Sequence, residues 1–376
     1  MPIQIAIFVK ISSAMIKKLD WYIIGKFLST FFFTLLIVLM IGGIIDFSEK
    51  IGKFIGGEMT NREIFFDYYL NFFLFVSGLL WPLFTLIAVM FFTSRMASNS
   101  EIISILNAGV SFNRMLRPYM IAAGILMILY LVGTHFLIPS GNKKMLNFMY
   151  TYIDKNKDKG RNRNVHLFIA PDAKVFIRNY RKRDSVAIDV RIEQFANDQL
   201  IKLVKTDRMD WVEEKKAWRM RNYELRTFNG DEEILKISSG KMQDTIINLN
   251  PGDFIDYADQ QSMMTTPELL TYIRTLRERG ASNIRKYELE QSRRTAEPIT
   301  IFILTLIGVS LAARKVRGGL GFHLAIGLGI SALFIFLSRF ATVFAQGESI
   351  PVLLGVWLPN LIFGCLAIYL MRKAQK

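Results

Sequence analysis

Phe27-Leu-Ser-Thr-Phe-Phe-Phe-Thr-Leu-Leu-Ile-Val-Leu-Met-Ile-Gly-Gly-Ile-Ile45 contains no ionisable side chain, and this stretch decides the fold. An α-helix rises about 1.5 Å per residue, so a run of about 20 such residues spans the hydrocarbon layer of a bilayer. The run belongs to a window at approximately 24–45, and similar windows follow at about 65–93, 118–138, 297–313, 320–344 and 351–371. Three lie near each end of the chain, and a polar stretch of about 150 residues, an ordinary size for one domain, separates them. The sequence predicts an α-helical polytopic membrane protein, six transmembrane helices in a 3+3 arrangement, with an inserted domain.

The 376 residues are 51% hydrophobic and 21% charged, which excludes a disordered or fibrous chain. A single cysteine, Cys365, excludes an internal disulfide framework, and the scattered His135, His166 and His323 supply no metal-ligand cluster, so no metal site is expected. The formal net charge of +15 invites a nucleic-acid reading. Residues 139–297, however, carry 30 basic and 24 acidic side chains spread along the segment, and Arg181-Lys182-Arg183 reads as a solvated turn. No nucleic-acid partner is expected.

Orientation follows from lysine and arginine near helix ends, which are retained on the cytoplasmic side. Lys10, Lys17 and Lys18 precede the first window; Arg95, Arg114 and Arg117 lie between the second and third; Arg314, Lys315 and Arg317 follow the fourth; Arg372, Lys373 and Lys376 close the chain. The short loops on the other side, roughly 46–64 and 345–350, hold only Lys50, Lys53 and Arg62, offset by Asp46, Glu49, Glu58, Glu63 and Glu348. Both termini are expected in the cytoplasm and the insert in the periplasm of a bacterial cell. Met1 to Met15 is weakly apolar, with Lys10 inside it and no small-residue cleavage pattern, so residues 1–18 read as a cytoplasmic extension rather than a signal peptide. The expected division is then 19–138 for the first three spans, 139–296 for the insert with its linking helices, and 297–376 for the last three spans.

Over residues 164–255 apolar and polar side chains alternate with the two-residue period of half-buried strands. Val175 and Ile177 alternate with Phe176 and Arg178; Val186, Ile188, Val190 and Ile192 with Ala187, Asp189 and Arg191; Trp218 and Met220 with Arg219 and Arg221. Asn197-Asp198, Asn229-Gly230-Asp231 and Asn250-Pro251-Gly252-Asp253 are turn punctuation. Several short strands imply an all-β sandwich or jelly roll, with Ile188 facing its interior. Thr266-Pro267 then opens a helix with Leu269, Leu270, Ile273 and Leu276 at helical spacing and Gly280 at its stop. A polar helix at about 282–296 runs directly into the fourth window at Glu297-Pro298.

Between the second and third windows, Ser98-Asn99-Ser100-Glu101 has the spacing that lets a serine cap a backbone N–H while a glutamate bonds back to the cap residue. A short helix at about 98–109 is expected, with Ile102, Ile103, Ile105 and Leu106 as its apolar face and Gly109 as its stop. Such a helix either lies on lipid or docks a cytoplasmic partner.

Leu19-Asp-Trp-Tyr-Ile-Ile-Gly-Lys-Phe before the first window, Gly43-Ile-Ile-Asp-Phe at its far end, Ser100-Glu-Ile-Ile-Ser-Ile-Leu-Asn-Ala-Gly-Val-Ser after the second, and Glu297-Pro298 opening the fourth follow one another in a recognisable order. From Leu19 to the C-terminus the chain resembles the LptF/LptG permeases, the paired membrane subunits of the bacterial lipopolysaccharide exporter, and the first-span stretch leans toward the G type. The resemblance implies a permease subunit of an ATP-driven ABC transporter in the inner membrane. Its partners would be a paralogous permease subunit forming a heterodimer, two copies of a cytoplasmic ABC ATPase, and periplasmic jelly-roll bridge proteins. No G-x-x-x-x-G-K-[ST] phosphate loop is present, so ATP is used by the partner ATPase and this chain itself is expected to bind no cofactor. Neither a Ser-His-Asp constellation nor a compact carboxylate pair suggests an enzyme.

By the same resemblance, the ATPase-coupling element is the helix containing Ser98, Glu101, Ile102, Ile105, Leu106 and Gly109, with Glu101 at the family's acidic position. The lipid-binding candidates are Lys50 and Lys53 just beyond the first span and Arg339 about 19 residues into the fifth, the two spans that form lateral gates in the family. By residue type alone Lys50 and Lys53 also read as lysines snorkelling at a helix end, whereas an arginine inside a span faces a partner or a cavity. Asp46 stands where a G-type member carries lysine, and a carboxylate repels phosphate. It therefore pairs with Arg339 or a neighbouring lysine, is bridged to lipid by a divalent cation, or marks an absent contact. Two other functions fit the same architecture: an ABC-type permease acting on lipoproteins or signalling mechanically, and a non-transport receptor whose β domain senses an envelope ligand.

Overall fold

The computed structural model describes residues 17–56, 59–153, 163–181, 183–230, 232–254, 259–281, 283–314, 319–347 and 350–374. Residues 1–16, most of the expected N-terminal extension, lie outside the described residues, as do Glu58, Lys182, Asp231, Lys315, Arg317, Glu348 and Lys376 of the sequence reading.

Among the described residues six helices are long and apolar enough to cross a bilayer: Lys18–Ile55, Asn61–Ser98, Phe112–Ile153, Ile284–Ala312, Gly321–Gln346 and Val352–Ala374. These are the six expected spans, and the protein is a polytopic helical membrane protein with an inserted β domain. The helices outrun their apolar windows because polar residues of good helix propensity continue the turn where nothing stops it. The first runs on through Asp46, Glu49, Lys50 and Lys53 to Ile55. The polar helix expected before Glu297 and the fourth span are one element, Ile284–Ala312.

The second span packs against both the first and the fifth; the first also meets the third, and the fifth the sixth. Phe27, Phe31, Leu86, Met90, Tyr119 and Leu304 fill the shared core. In lipid, helix association rests on close packing, which small residues permit. Gly308 of the fourth span is such a contact, since an added Cβ would sit 2.2 Å from Val89 Cγ1 of the second. The first and fifth spans leave wide apolar faces uncovered, with Leu36, Met40 and Ile44 on one and Phe336, Phe340 and Val343 on the other.

Among the described residues the β domain has six strands, β1 Arg163–Ala170, β2 Ala173–Arg181, β3 Val186–Ala196, β4 Gln199–Val212, β5 Ala217–Asn229 and β6 Glu232–Thr245. They form one antiparallel sheet in sequence order. Alternation predicts strands but does not say how they are shared between sheets, and a crease in this sheet resolves the matter. The regular pairing skips Asn164 opposite Arg178, Arg178 opposite Asp189, Asp189 opposite Asp207, Asp207 opposite Asn222, and Asn222 opposite the segment around Gly240. Along that line Asn164, Asp189, Asn222 and Gly240 have φ of 50°, 52°, 51° and 73°, the left-handed region that Asn, Asp and Gly tolerate best. The Gly240 N–H donates to Asn222 Oδ1 at 3.0 Å, closing the last step.

Each strand's inward set slips by one residue at this line. In β2 the core residues are Val175 and Ile177 before it and Tyr180 after it; in β3, Ala187 before and Val190 and Ile192 after; in β4, Val204 before and Met209 and Trp211 after. Both halves of the sheet therefore turn the same side to one core, completed by Trp218, Leu249 and Phe254. Ile188, expected inside, instead lines an outer groove with Arg163, Arg178 and Asp189, because the left-handed residue beside it reverses the alternation. The Trp218 indole N–H donates to the Leu249 carbonyl at 2.8 Å, and Phe254 stacks on Tyr180 with centroids 3.8 Å apart.

The amphipathic helix spans Thr266–Glu278 and is capped by Thr265, one residue before the expected cap, whose N–H donates to Glu268 Oε2 at 2.8 Å. Leu269, Ile273 and Leu276 are buried, while Leu270, expected on that face, is exposed. Just beyond the helix, buried Arg279 donates to Asp253 Oδ2 at 2.9 Å and Asn248 Oδ1 at 3.1 Å.

Asp189→Val is expected to destabilise the β domain by roughly 1–3 kcal/mol and Asp189→Gly by less than about 1 kcal/mol, read from hydrogen exchange of β2–β4 amides in the full chain. The Thr265 N–H bond holds the Glu268 carboxyl below its ordinary range. That stabilisation is present above the unfolded carboxyl's pKa and is lost as pH falls through the lower folded value. Glu268→Ala should therefore speed exchange in the first turn of this helix at pH 7 and change nothing once acid protonates the parent carboxyl.

Candidate functional site

The six spans alternate in direction, so the end of the first, the start of the second and the end of the fifth share one side of the membrane. On that side the structure brings Asp46, Lys50, Tyr68 and Tyr69 together. Asp46 and Lys50 are one helical turn apart on the first span and form an ion pair, with side chains 11% and 19% exposed. The Tyr68 hydroxyl donates to Asp46 at 3.0 Å and the Tyr69 hydroxyl at 3.3 Å, while the Lys50 ammonium also donates to the Tyr68 oxygen. The same ammonium lies 4.9 Å from the Tyr68 ring centroid and 5.9 Å from that of Phe72, within cation–π range. Among the pairings left open for Asp46, the structure selects the neighbouring lysine, Lys50.

Tyr68 and Tyr69 were not legible as site residues. Adjacent positions on an α-helix point about 100° apart, which argues against two neighbours reaching one carboxylate. The π-helical turn Ile64–Tyr69 lies in this segment, and turns of that kind concentrate at functional sites. The adjacent tyrosines are the only sequence signal.

Lys53 is exposed one turn further along the first span. Arg339 is exposed near the end of the fifth, flanked by exposed Phe336 and Phe340, and has neither an ion pair nor a hydrogen bond to any described residue. It is not brought to Asp46. This end of the molecule thus carries Lys50, Lys53 and Arg339 beside uncovered apolar helix faces.

At the opposite end the connecting helix spans Glu101–Asn107. The expected capping box at Ser98 does not form. Ser98 is the last residue of the second span, so its backbone is already in a helix, and the chain reverses at Ser100, whose φ is 63°. Glu101 instead accepts hydrogen bonds from the Tyr22 hydroxyl and from Asn99 Nδ2, both at 3.2 Å. Ile102 is buried and Ile105 partly so, whereas Ile103 and Leu106 are exposed; the expected apolar face is divided between core and surface. Gly109, with φ of 80°, stops the helix as expected and donates to the Leu106 carbonyl at 3.0 Å. Beside it, Arg114 of the third span grips buried Asp20 of the first through bonds of 2.8 and 2.6 Å. The connecting helix and the third span are thus both tied to the start of the first span.

A family model described as the lipopolysaccharide export system permease LptF/LptG matches residues 21–373, nearly the whole chain. This chain belongs to the LptF/LptG family. It is similar to the lipopolysaccharide export system permease protein LptG of Haemophilus influenzae, 22% identical over 376 residues that cover 96% of this chain and 100% of that protein. The LptF/LptG match begins at the first span and ends at the last, so it takes in both candidate regions and the β domain between them.

Asp20→Asn should lower the thermal stability of the detergent-solubilised chain more than Tyr22→Phe does. The first breaks a bidentate pair with a buried carboxylate, worth about 3 kcal/mol or more, and the second removes one exposed hydrogen bond worth roughly 0.5–1.5 kcal/mol. Differential scanning fluorimetry of the two variants checks the order.

Proposed function

We propose that this chain is a permease subunit of an ATP-driven exporter that lifts lipopolysaccharide out of the bacterial inner membrane and passes it into its own β domain. The observation that carries the reading is Arg339, an exposed cation without a protein partner among the described residues, set in an apolar face of the fifth span. A charge at that position is costly unless it meets an anion, and a phosphorylated, multiply acylated lipid offers an anion and apolar chains together. Lys53 places a second cation at the corresponding end of the first span.

In this reading both termini are cytoplasmic, in line with the basic residues at that end, and the β domain is periplasmic. The lipid enters sideways against the uncovered faces of the first and fifth spans, completed by a paralogous permease subunit. Each CH₂ group exposed to water costs about 0.8 kcal/mol, so moving several acyl chains needs both an energy source and a continuous apolar path. Two copies of a partner ATPase supply the energy through ATP hydrolysis. The connecting helix receives their motion on Ile103 and Leu106 and hands it to the first span through Tyr22 and the Asp20–Arg114 pair. The apolar core side of the creased sheet receives the acyl chains, and periplasmic jelly-roll bridge proteins take them on.

The test is photocrosslinking from Ile192 and Val204, which pack on the sheet's core side, in membranes containing the assembled complex. ATP-dependent adducts to lipopolysaccharide are expected. Adducts to lipoprotein, or none in a complex shown to be assembled, would overturn the reading.

A further inference from the structure

The donor set around Asp46 is that of an anion site. Lys50, Tyr68 and Tyr69 direct an ammonium and two phenol hydroxyls at one carboxylate that is 9% exposed. Phe54 packs on both tyrosine rings with centroids 6.0 and 6.1 Å away, and Phe72 stacks on Tyr68 at 6.0 Å, so the phenols are held in place by aromatic neighbours. A phosphate oxygen accepts the same three donors as a carboxylate oxygen does. Two anions do not share one poorly solvated set of donors without strong repulsion.

We propose that Asp46 is an internal counter-anion of this site, occupying on Lys50, Tyr68 and Tyr69 the place that a lipid-borne phosphate takes when the headgroup exchanges for it. The inference rests on the headgroup reading of Lys53 and Arg339 and adds to it a means of release. Exchange keeps Lys50 neutralised whether lipid is present or absent, so a lipid whose chains have been lifted is not held back by its phosphate. The carboxylate recaptures the three donors as the headgroup departs.

The experiment measures release of labelled lipopolysaccharide from the full complex in nanodiscs during a chase. Asp46→Asn, which leaves the donors without their internal anion, is expected to slow release by about tenfold, and adding Lys50→Gln should cancel that effect. Should Asp46→Asn not assemble, Asp46→Ala removes the same internal anion and is expected to slow release likewise; an unchanged rate there overturns the proposal. In Asp46→Asn, displacement of lipid by inorganic phosphate would identify a site for phosphate from any source, and displacement by phosphorylated lipid alone a headgroup site. Either supports the exchange, whereas equal displacement by a phosphate-free lipid overturns it. If Asp46→Asn releases lipid at the parent rate while Arg339→Gln and Lys53→Gln still weaken retention, the counter-anion role fails and the headgroup reading stands. If none of these variants alters retention, both fail.

Discussion

Inside a bilayer no water reaches a backbone amide or a charged side chain, so every polar group in the helical unit must find its partner within the protein or in a ligand. Ser94 meets His323 at 2.8 Å between the second and fifth spans, and Thr300 meets Asn360 at 2.7 Å between the fourth and sixth. Tyr130 donates toward Glu297 at 2.8 Å, which in turn accepts from Arg293 at 3.0 Å. Arg339, by contrast, faces outward with no ion pair or hydrogen bond to any described residue.

The first span gathers most of the consequences. Its middle is apolar and largely uncovered, while each end is fixed by a polar cluster to a different neighbour: Asp20 to Arg114 at one end, Asp46 to Tyr68 and Tyr69 at the other. The connecting helix touches it through Tyr22, within one turn of Asp20.

The spans were legible because bilayer thickness converts directly into a length of apolar sequence, and Phe27 to Ile45 satisfies it without help from tertiary structure. Short polar signals fared less well. Ser98 carries the spacing of a cap, yet the helix before it continues through that residue, and a cap cannot form where the backbone is already helical. Asp46 was visible as an anomaly, but its partners Tyr68 and Tyr69 lie some 20 residues away on another span, and their convergence on one carboxylate has no periodic signature. In the β domain the two-residue period found the strands and misassigned Ile188, because one left-handed residue, Asp189, is enough to invert every inward position beyond it.

The strand order also bears on how the domain is made. Every strand pairs with its neighbour in the chain, so each new pairing closes only a short loop and none waits for a distant segment. The domain is synthesised after the third span and before the fourth, and its sheet can be extended hairpin by hairpin in the order in which the chain appears. A two-sheet Greek key enclosing a similar core would leave early strands unpaired until late ones arrived. By growing from one edge, the meander leaves unpaired only the outer edge of β1 and that of its newest strand at any moment of its assembly, which limits the time in which inner strands are exposed to aggregation.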